Sequence, residues 1–292
     1  MFRNLHYYRA EGRWPDDEEA LSQSLESAGF EPCGPLTERS SGFVHVGPDS
    51  GDLLARRVGA ADLLRLRSQS RVLPHAAVNE ELDIRIDEYR ERMREAPSPR
   101  EKRRMKAEVR DSLLAKSMLK SDRIWGYFDH KEQVLGIGAA QAPSVERFLR
   151  RLQAACGDMK FRPLEFTRPF SSLLHKVFLG GATDRFSVGR ECRMQDTGDV
   201  RSIVRWSDFD LSDPTIRKHV SNGMLLTHLE LVYDNIMRFV LSENGVITKL
   251  KYLGMDDERE HNDDPLARLD AEFVLLTGTL RRTLADLRVA LD

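Results

Sequence analysis

Nine basic side chains fall between Arg100 and Arg123: Arg100, Lys102, Arg103, Arg104, Lys106, Arg110, Lys116, Lys120 and Arg123. Only Glu101, Glu108, Asp111 and Asp122 oppose them, leaving a local excess of five positive charges (nine minus four). Lys102, Lys106 and Arg110 step by four residues, so on a helix they share one face, with Arg103 beside them. At ~1.5 Å rise per residue the row covers roughly 12 Å, enough to touch more than one phosphate of a polyanion. A solvated helix face is the bland reading of one such run. A second basic row weakens it. Arg238, Lys249 and Lys251 alternate with apolar residues on either side of Asn244-Gly245, so they fall on the outer face of an expected hairpin.

Other residues that could do chemistry lack the right company. Asp256, Asp257, Glu258, Glu260, Asp263 and Asp264 form an acidic run. A nuclease would hold magnesium with such carboxylates and place a lysine close by. Here Asp270-Ala271-Glu272 leads into Phe273-Val274-Leu275, not a lysine, so a solvated loop or an ion-pairing surface between subunits is the expected reading. Gly136-Ile137-Gly138 begins like a dinucleotide loop, but Gln141 breaks the pattern; a tight turn or close backbone approach is expected. The eight histidines have no metal-ligand spacing. Ser171, Ser172 and His175 share a helix with no acid partner, so no hydrolase triad is expected. Arg217 and Lys218 ride on a helix expected over 212–222 and capped by Ser212. It has no helix-turn-helix partner before it. Neither a cofactor nor a metal is expected.

The elements that must position these residues can be read from pattern. A strand is expected over 2–9, then a helix opened by Pro15 with Asp16, Asp17, Glu18 and Glu19 in its first turn. Phe30-Glu31-Pro32-Cys33-Gly34 reads as a turn-rich connector, followed by short strands over 43–46 and 62–67. Val78, Leu82, Ile86, Tyr89 and Met93 form an apolar stripe at helical spacing. Ser98, Pro99 and Glu101 spell a capping box for a second helix that turns Met105, Val109 and Leu113 inward. Together these read as a helical hairpin protruding from the body. Strands are expected over 123–128 and 133–137, and helices over 143–156, 170–179 and 265–291. From Asn244-Gly245 outward, a two-residue turn would pair Leu241 with Thr248, Val240 with Lys249, Phe239 with Leu250, Arg238 with Lys251 and Met237 with Tyr252.

The fold class is thus α+β: a multi-lobed chain with antiparallel sheets and a helical hairpin. The expected divisions are an N-terminal lobe over 1–73, the hairpin over 74–121, and a body over 122–292 with an antiparallel meander and a C-terminal helix. With 292 residues, 40% hydrophobic and 32% charged, the chain can bury a sizeable core. Its formal net charge is −2, so attraction to a polyanion must come from charge segregation. No apolar run is long enough to span a membrane, and Met1 to Arg9 lacks the apolar core of a secretory leader. Cys33, Cys156 and Cys192 are odd in number and far apart, which fits reduced thiols in a cytosol.

Five segments in order carry a family resemblance: Phe30-Glu31-Pro32-Cys33-Gly34; Leu73-Pro74 opening a helix; a basic helix ending in Ser112-Leu113-Leu114; Lys249-Leu250-Lys251-Tyr252; and Arg268-Leu269-Asp270-Ala271-Glu272-Phe273-Val274-Leu275-Leu276-Thr277-Gly278. Across nearly its whole length the chain resembles the recombination-associated protein RdgC family of bacteria. That resemblance implies a cytoplasmic, nucleoid-associated homodimer closed into a ring; the family is sometimes labelled an exonuclease, but no residues here are suited to cutting, so no enzymatic activity is expected. The ring would take double-stranded DNA through a basic hole without sequence preference and limit access of the RecA recombinase. It also implies that the helical hairpin supplies a gate tip, with Met118 and Leu119 at the dimer gate; the basic rows then make Lys102, Arg103, Lys106, Arg110, Lys116, Lys120, Arg238, Lys249 and Lys251 the DNA-binding candidates. Two departures stand out. Met118 replaces the family's gate aromatic, and Asp208-Phe209 stand near where some relatives carry a Lys-Gln pair close to DNA. A metal-dependent exonuclease acting in recombination is the alternative reading.

Overall fold

The computed structural model describes residues 1–47, 53–181, 185–199, 201–253 and 264–292. It is α+β, and its described strand pairings are all antiparallel. The chain forms two compact units. The larger gathers Met1–Ser27, His45–Arg65 and Ile124–Asp292; the smaller gathers Ala28–Val44 and Leu66–Arg123.

In the larger unit, β1 (His6–Glu11) lies between β6 (Val134–Gly138) and β7 (Lys160–Pro163). The first residues of β4 (Ala61–Val72) pair with β3 (Ala55–Val58), and the last of β5 (Met118–Asp129) with β6. Helix α1 (Glu18–Glu26) is capped by Asp17, and α4 covers Ala142–Cys156. A five-stranded sheet runs in the order β12 (Ile247–Tyr252), β11 (Met237–Ser242), β10 (Leu225–Tyr233), β8 (Phe186–Gln195) and β9 (Ile203–Trp206). One face of that sheet is apolar because Leu229, Leu231 and Tyr233 alternate with outward residues, as do Met237, Phe239 and Leu241. Against it pack α5 (Phe170–Phe178) and α7 (Pro265–Leu291). Phe273, Leu276, Leu280, Leu284, Leu287 and Leu291 are the buried stripe of α7, spaced by three and four. Each such leucine contributes about 1.5–3 kcal/mol by leaving water.

In the smaller unit, β2 (Arg39–Phe43) pairs with the end of β4, from Arg39 opposite Ser70 to Phe43 opposite Leu66. Helices α2 (His75–Met93) and α3 (Pro99–Lys116) meet through Ile86, Tyr89 and Met105, with Leu82 packed against them. The connector from Phe30 to Gly34 is pinned to β4. Cys33 N–H donates to Gln69 Oε1 at 2.9 Å, and Arg71 Nη2 donates to the Gly34 carbonyl at 2.9 Å.

Several expectations shift. The first strand starts at His6, not residue 2, and α1 starts at Glu18. The strands expected over 43–46 and 62–67 lie at Arg39–Phe43 and Ala61–Val72. Met93 is exposed, and Leu114 rather than Leu113 turns inward. Helix α6 (Pro214–Ser221) is capped by Asp213, whose carboxylate reaches Thr215 N–H at 2.7 Å, not by Ser212. The Asn244-Gly245 turn is not a two-residue loop. Gly245 N–H donates to Ser242 O, and Ser242 N–H to Val246 O, both at 3.0 Å. Leu241 therefore faces Ile247 and Val240 faces Thr248, one residue off the expected register. A bulge beside Lys249, at φ 54°, restores Arg238 opposite Lys251 and Met237 opposite Tyr252. Gly136 sits in β6 at a close approach: a Cβ there would lie 2.3 Å from the Tyr127 ring. The described cysteines are all free. No described helix is long and apolar enough to cross a membrane.

One buried carboxylate ties the N-terminal segments of the larger unit together. Asp62 is fully buried. It accepts from Arg57 Nε at 2.6 Å and Nη2 at 2.9 Å, from Trp14 Nε1 at 2.7 Å, and lies 2.9 Å from His130 Nε2. Trp14 in turn stacks on Phe128 at 3.9 Å. Asp62→Ala leaves the Arg57 charge and the Trp14 N–H without their acceptor, and should cost about 3–5 kcal/mol in urea unfolding. A loss below about 1 kcal/mol would show that this cluster holds nothing together.

Candidate nucleic-acid interface

Helix α3 exists because its two ends are satisfied. Ser98 Oγ accepts from Glu101 N–H at 3.3 Å while Glu101 Oε2 accepts from Ser98 N–H at 2.8 Å, the reciprocal capping box expected from sequence. Tyr89 of α2 adds a hydroxyl donation to Glu101 Oε1 at 2.9 Å. These bonds, the Ser98 side chain first, hold the Glu101 carboxyl below its ordinary range. At the other end, Arg71 Nη1 donates to the Leu114 and Ser117 carbonyls at 3.1 and 3.2 Å, adding to the bonds that Ser117 N–H and Oγ make to the Leu114 carbonyl. Met105, Val109 and Leu114 face inward, so the opposite side must face water.

Lys102, Arg103, Lys106 and Arg110 are all exposed. Among the described residues no carboxylate lies within ion-pair distance of Lys102, Arg103 or Lys116. The others are partly engaged. Lys106 Nζ lies 3.3 Å from Asn79 Oδ1, Arg110 pairs with Glu38, and Lys120 sits 3.8 Å from Asp122. Exposed pairs of this kind contribute little, about 0–1 kcal/mol, and exchange readily with other anions.

Lys106 and Arg110 also form one wall of an open cleft of about 560 Å³ within the smaller unit. Arg39 of β2, Arg71 of β4 and His75 at the start of α2 line it too, with Glu38 as its one carboxylate. None of the three was singled out from sequence. Their separation along the chain hides them, and only the Arg39 to Ser70 register of β2 and β4 brings them to one place.

The second row belongs to the larger unit. Arg238 and Lys251 stand directly opposite each other on β11 and β12, and Lys249 is drawn to Glu191. The same outward face carries two cations that sequence reading passed over. Arg193 of β8 faces Arg205 of β9, and His228 of β10 faces Arg193. Burial lowers the pKa of His228 first, and Arg193 and Arg205 lower it further. Like charges placed opposite one another repel. Arg193, Arg205, Arg238 and Lys251 have no carboxylate within ion-pair distance among the described residues.

The remaining candidates fall out differently. Met118 and Leu119 are not at a helical tip: the turn joining α2 to α3 spans residues 94–98, and these two open β5. Both are exposed, Met118 by 77%. Asp208, at φ 54°, pairs with Arg190, Nε to Oδ1 at 2.7 Å, so this departure engages a cation that would otherwise be free. Phe209 is exposed. Of the acidic run, 256–263 lie outside the described residues; Asp264 caps α7 by accepting from Leu266 N–H at 3.0 Å. Among the described residues no group of three or more His, Cys, Asp or Glu is placed to hold a metal ion. The His175 ring lies against the Ser171 carbonyl at 2.7 Å, and Ser172 Oγ donates to the Pro169 carbonyl at 2.8 Å, so neither serine hydroxyl meets the imidazole.

Comparison with known proteins gives a consistent picture. A family model described as "Putative exonuclease, RdgC" matches residues 1–292. The chain is 30% identical over 298 residues to the recombination-associated protein RdgC of Xanthomonas oryzae pv. oryzae (strain PXO99A), covering 100% of this chain and 98% of that one. It is likewise 30% identical to the proteins of the same name from Xylella fastidiosa (strain M23) and Xanthomonas campestris pv. campestris (strain B100), with 100% of this chain covered in both cases and 97% and 98% of the respective relatives.

The capping box generates a direct check on how α3 is positioned. Ser98→Ala should weaken the first turn by about 1 kcal/mol, read as amide exchange roughly fivefold faster at its start. Because the Glu101 carboxyl is held low, its contribution is complete above the ordinary glutamate range and is lost as pH falls through the lowered value. The difference between wild type and variant should therefore shrink in acid. Equal exchange at neutral pH would contradict the role given to this cap.

Proposed function

The chain belongs to the RdgC family, and from that premise we propose that it acts in recombination by binding double-stranded DNA without sequence preference. In this reading two copies close into a ring around the duplex and limit the access of a RecA-type recombinase, in the cytoplasm and on the nucleoid. The observation that carries the reading is the pile-up, on two surfaces of a chain whose net charge is negative, of cations with no carboxylate within ion-pair distance among the described residues: Lys102 and Arg103 on α3, and Arg193, Arg205, Arg238 and Lys251 on the outer face of the five-stranded sheet.

Such surfaces suit a phosphate backbone for a simple reason. Each lysine or arginine that meets a phosphate releases a condensed counterion, and this entropic gain is independent of base sequence. Contacts to phosphates fix register and orientation but read no bases. No bond is made or broken in this action, so neither metal nor cofactor is called for. The exposed Met118 and Leu119 at the start of β5 supply an apolar patch on which a second copy could close the ring. Methionine fills an apolar pocket but specifies the contact less sharply than a ring would.

A second reading, a metal-dependent exonuclease, is favoured by the description of the family model. The two separate on end-labelled linear duplex incubated with pure protein and magnesium or manganese. Intact substrate at protein concentrations that saturate binding fits the first reading; progressive shortening fits the second.

The binding surface itself is tested by charge reversal. Lys102→Glu, Lys106→Glu and Arg110→Glu together should weaken binding to any duplex alike and lower its salt dependence by about one unit for each phosphate no longer engaged. Binding that persists unchanged, or that falls for some sequences and not others, would remove α3 from the interface.

A further inference from the structure

We propose that the cleft of the smaller unit is a discrete site for a phosphate ester, held by Arg39, His75, Lys106 and Arg110 around a fixed Arg71. The inference goes beyond a generally basic surface and rests on the DNA reading only for the source of the phosphate.

Four features single out this place. First, four permanent cations line it against the single carboxylate of Glu38, which Arg110 already holds. Second, Arg71 is immobilised by carbonyl oxygens alone: Nε and Nη2 on Gly34 at 3.1 and 2.9 Å, and Nη1 on Leu114 and Ser117. Those bonds fix the guanidinium without neutralising it, so its charge is a preorganised part of the wall. Third, Arg39 is exposed and has no carboxylate within ion-pair distance among the described residues. Its planar fork can therefore take a phosphate bidentately, as an ammonium cannot. Fourth, α2 begins at His75 with no side-chain cap and no acidic residue in its first turn, so nothing from its own helix competes there for an anion.

Size and lining narrow the ligand. A volume of about 560 Å³ exceeds what a bare anion needs and lies in the range of small-molecule sites. Leu73, Val78 and Leu114 give the cleft an apolar part beside the cations. Charge on one side and hydrocarbon on the other match a phosphate joined to an organic group, as in a phosphate ester. That chemistry has two sources: a nucleotide unit within a DNA strand, or a free phosphate ester. In either case a bound phosphate would draw Arg110 away from Glu38, an exchange that exposed ion pairs permit at small cost.

The test uses the full-length protein and the ring signal of His75 in NMR, assigned with a His75→Gln variant. Inorganic phosphate and a blunt duplex are titrated separately at constant ionic strength, and duplex affinity is read on the same samples by fluorescence anisotropy. Saturable movement of the His75 signal is expected with at least one ligand. Movement with duplex alone assigns the phosphate to a strand; movement with inorganic phosphate alone assigns it to a free ester. Arg39→Gln changes one exposed side chain and should weaken the response about tenfold, as the loss of one charge-assisted hydrogen bond implies. A silent His75 with both ligands, or an unchanged midpoint in Arg39→Gln, overturns the site. Duplex binding with a silent His75 would sink the cleft and leave the DNA reading standing. Phosphate-driven movement without duplex binding would do the reverse.

Discussion

Like charges held side by side on a fixed backbone repel, and the surfaces of this chain are built around that repulsion. Arg193 faces Arg205 and Arg238 faces Lys251 across neighbouring strands. Opposite positions on adjacent strands are about 4.5–5.5 Å apart at Cβ, where like charges destabilise a sheet. On α3 the four-residue steps from Lys102 to Arg110 impose a similar crowding. A chain carrying 47 acidic residues against 45 lysines and arginines had the means to neutralise these positions. Segregation of charge, not total charge, is the property to explain, and it is what the proposed binding of an anionic polymer rests on.

Rigid supports keep those cations from relaxing apart. The five-stranded sheet is backed by the buried stripe of α7, so its outward residues cannot leave their face without exposing Phe239, Leu241 or Leu231. The Asp62 cluster joins Trp14, Arg57 and His130 in the same unit. In the smaller unit the capping box starts α3 and Arg71 closes its end. Arg71 has a double consequence. It bonds the carbonyls of Gly34, Leu114 and Ser117, and it places in the cleft a charge with no carboxylate within ion-pair distance among the described residues. One side chain thus serves both the helix end and the proposed phosphate site.

Local rules made much of this visible in the sequence. The capping box at Ser98, the helices α2, α3, α4, α5 and α7, and the pairing of β5 with β6 follow from periodicity and cap chemistry, which act within a few residues. What local rules cannot see is pairing between distant segments. Strands β7, β8 and β9 lacked a clear alternating signature, and with them Arg193 and Arg205 went unnoticed. The cleft was hidden for the same reason, since Arg39 and Arg71 meet only through the β2–β4 register. The hairpin at Asn244-Gly245 shows a subtler limit. The dipeptide marked the turn, but a longer loop and the bulge at Lys249 compensated one another, so the outer pairs came out right and the inner ones did not. The helical pattern was expected to run through Met118, but the helix ends before it, at Lys116, and a strand begins with it.

If cations on these faces neutralise DNA phosphates, the most direct measurement is duplex affinity as a function of salt. With six to ten phosphates engaged per dimer, affinity should fall linearly on logarithmic axes, by about 10³–10⁵ between 50 and 200 mM salt. An affinity that hardly changes over that range would mean these lysines and arginines do not hold the duplex.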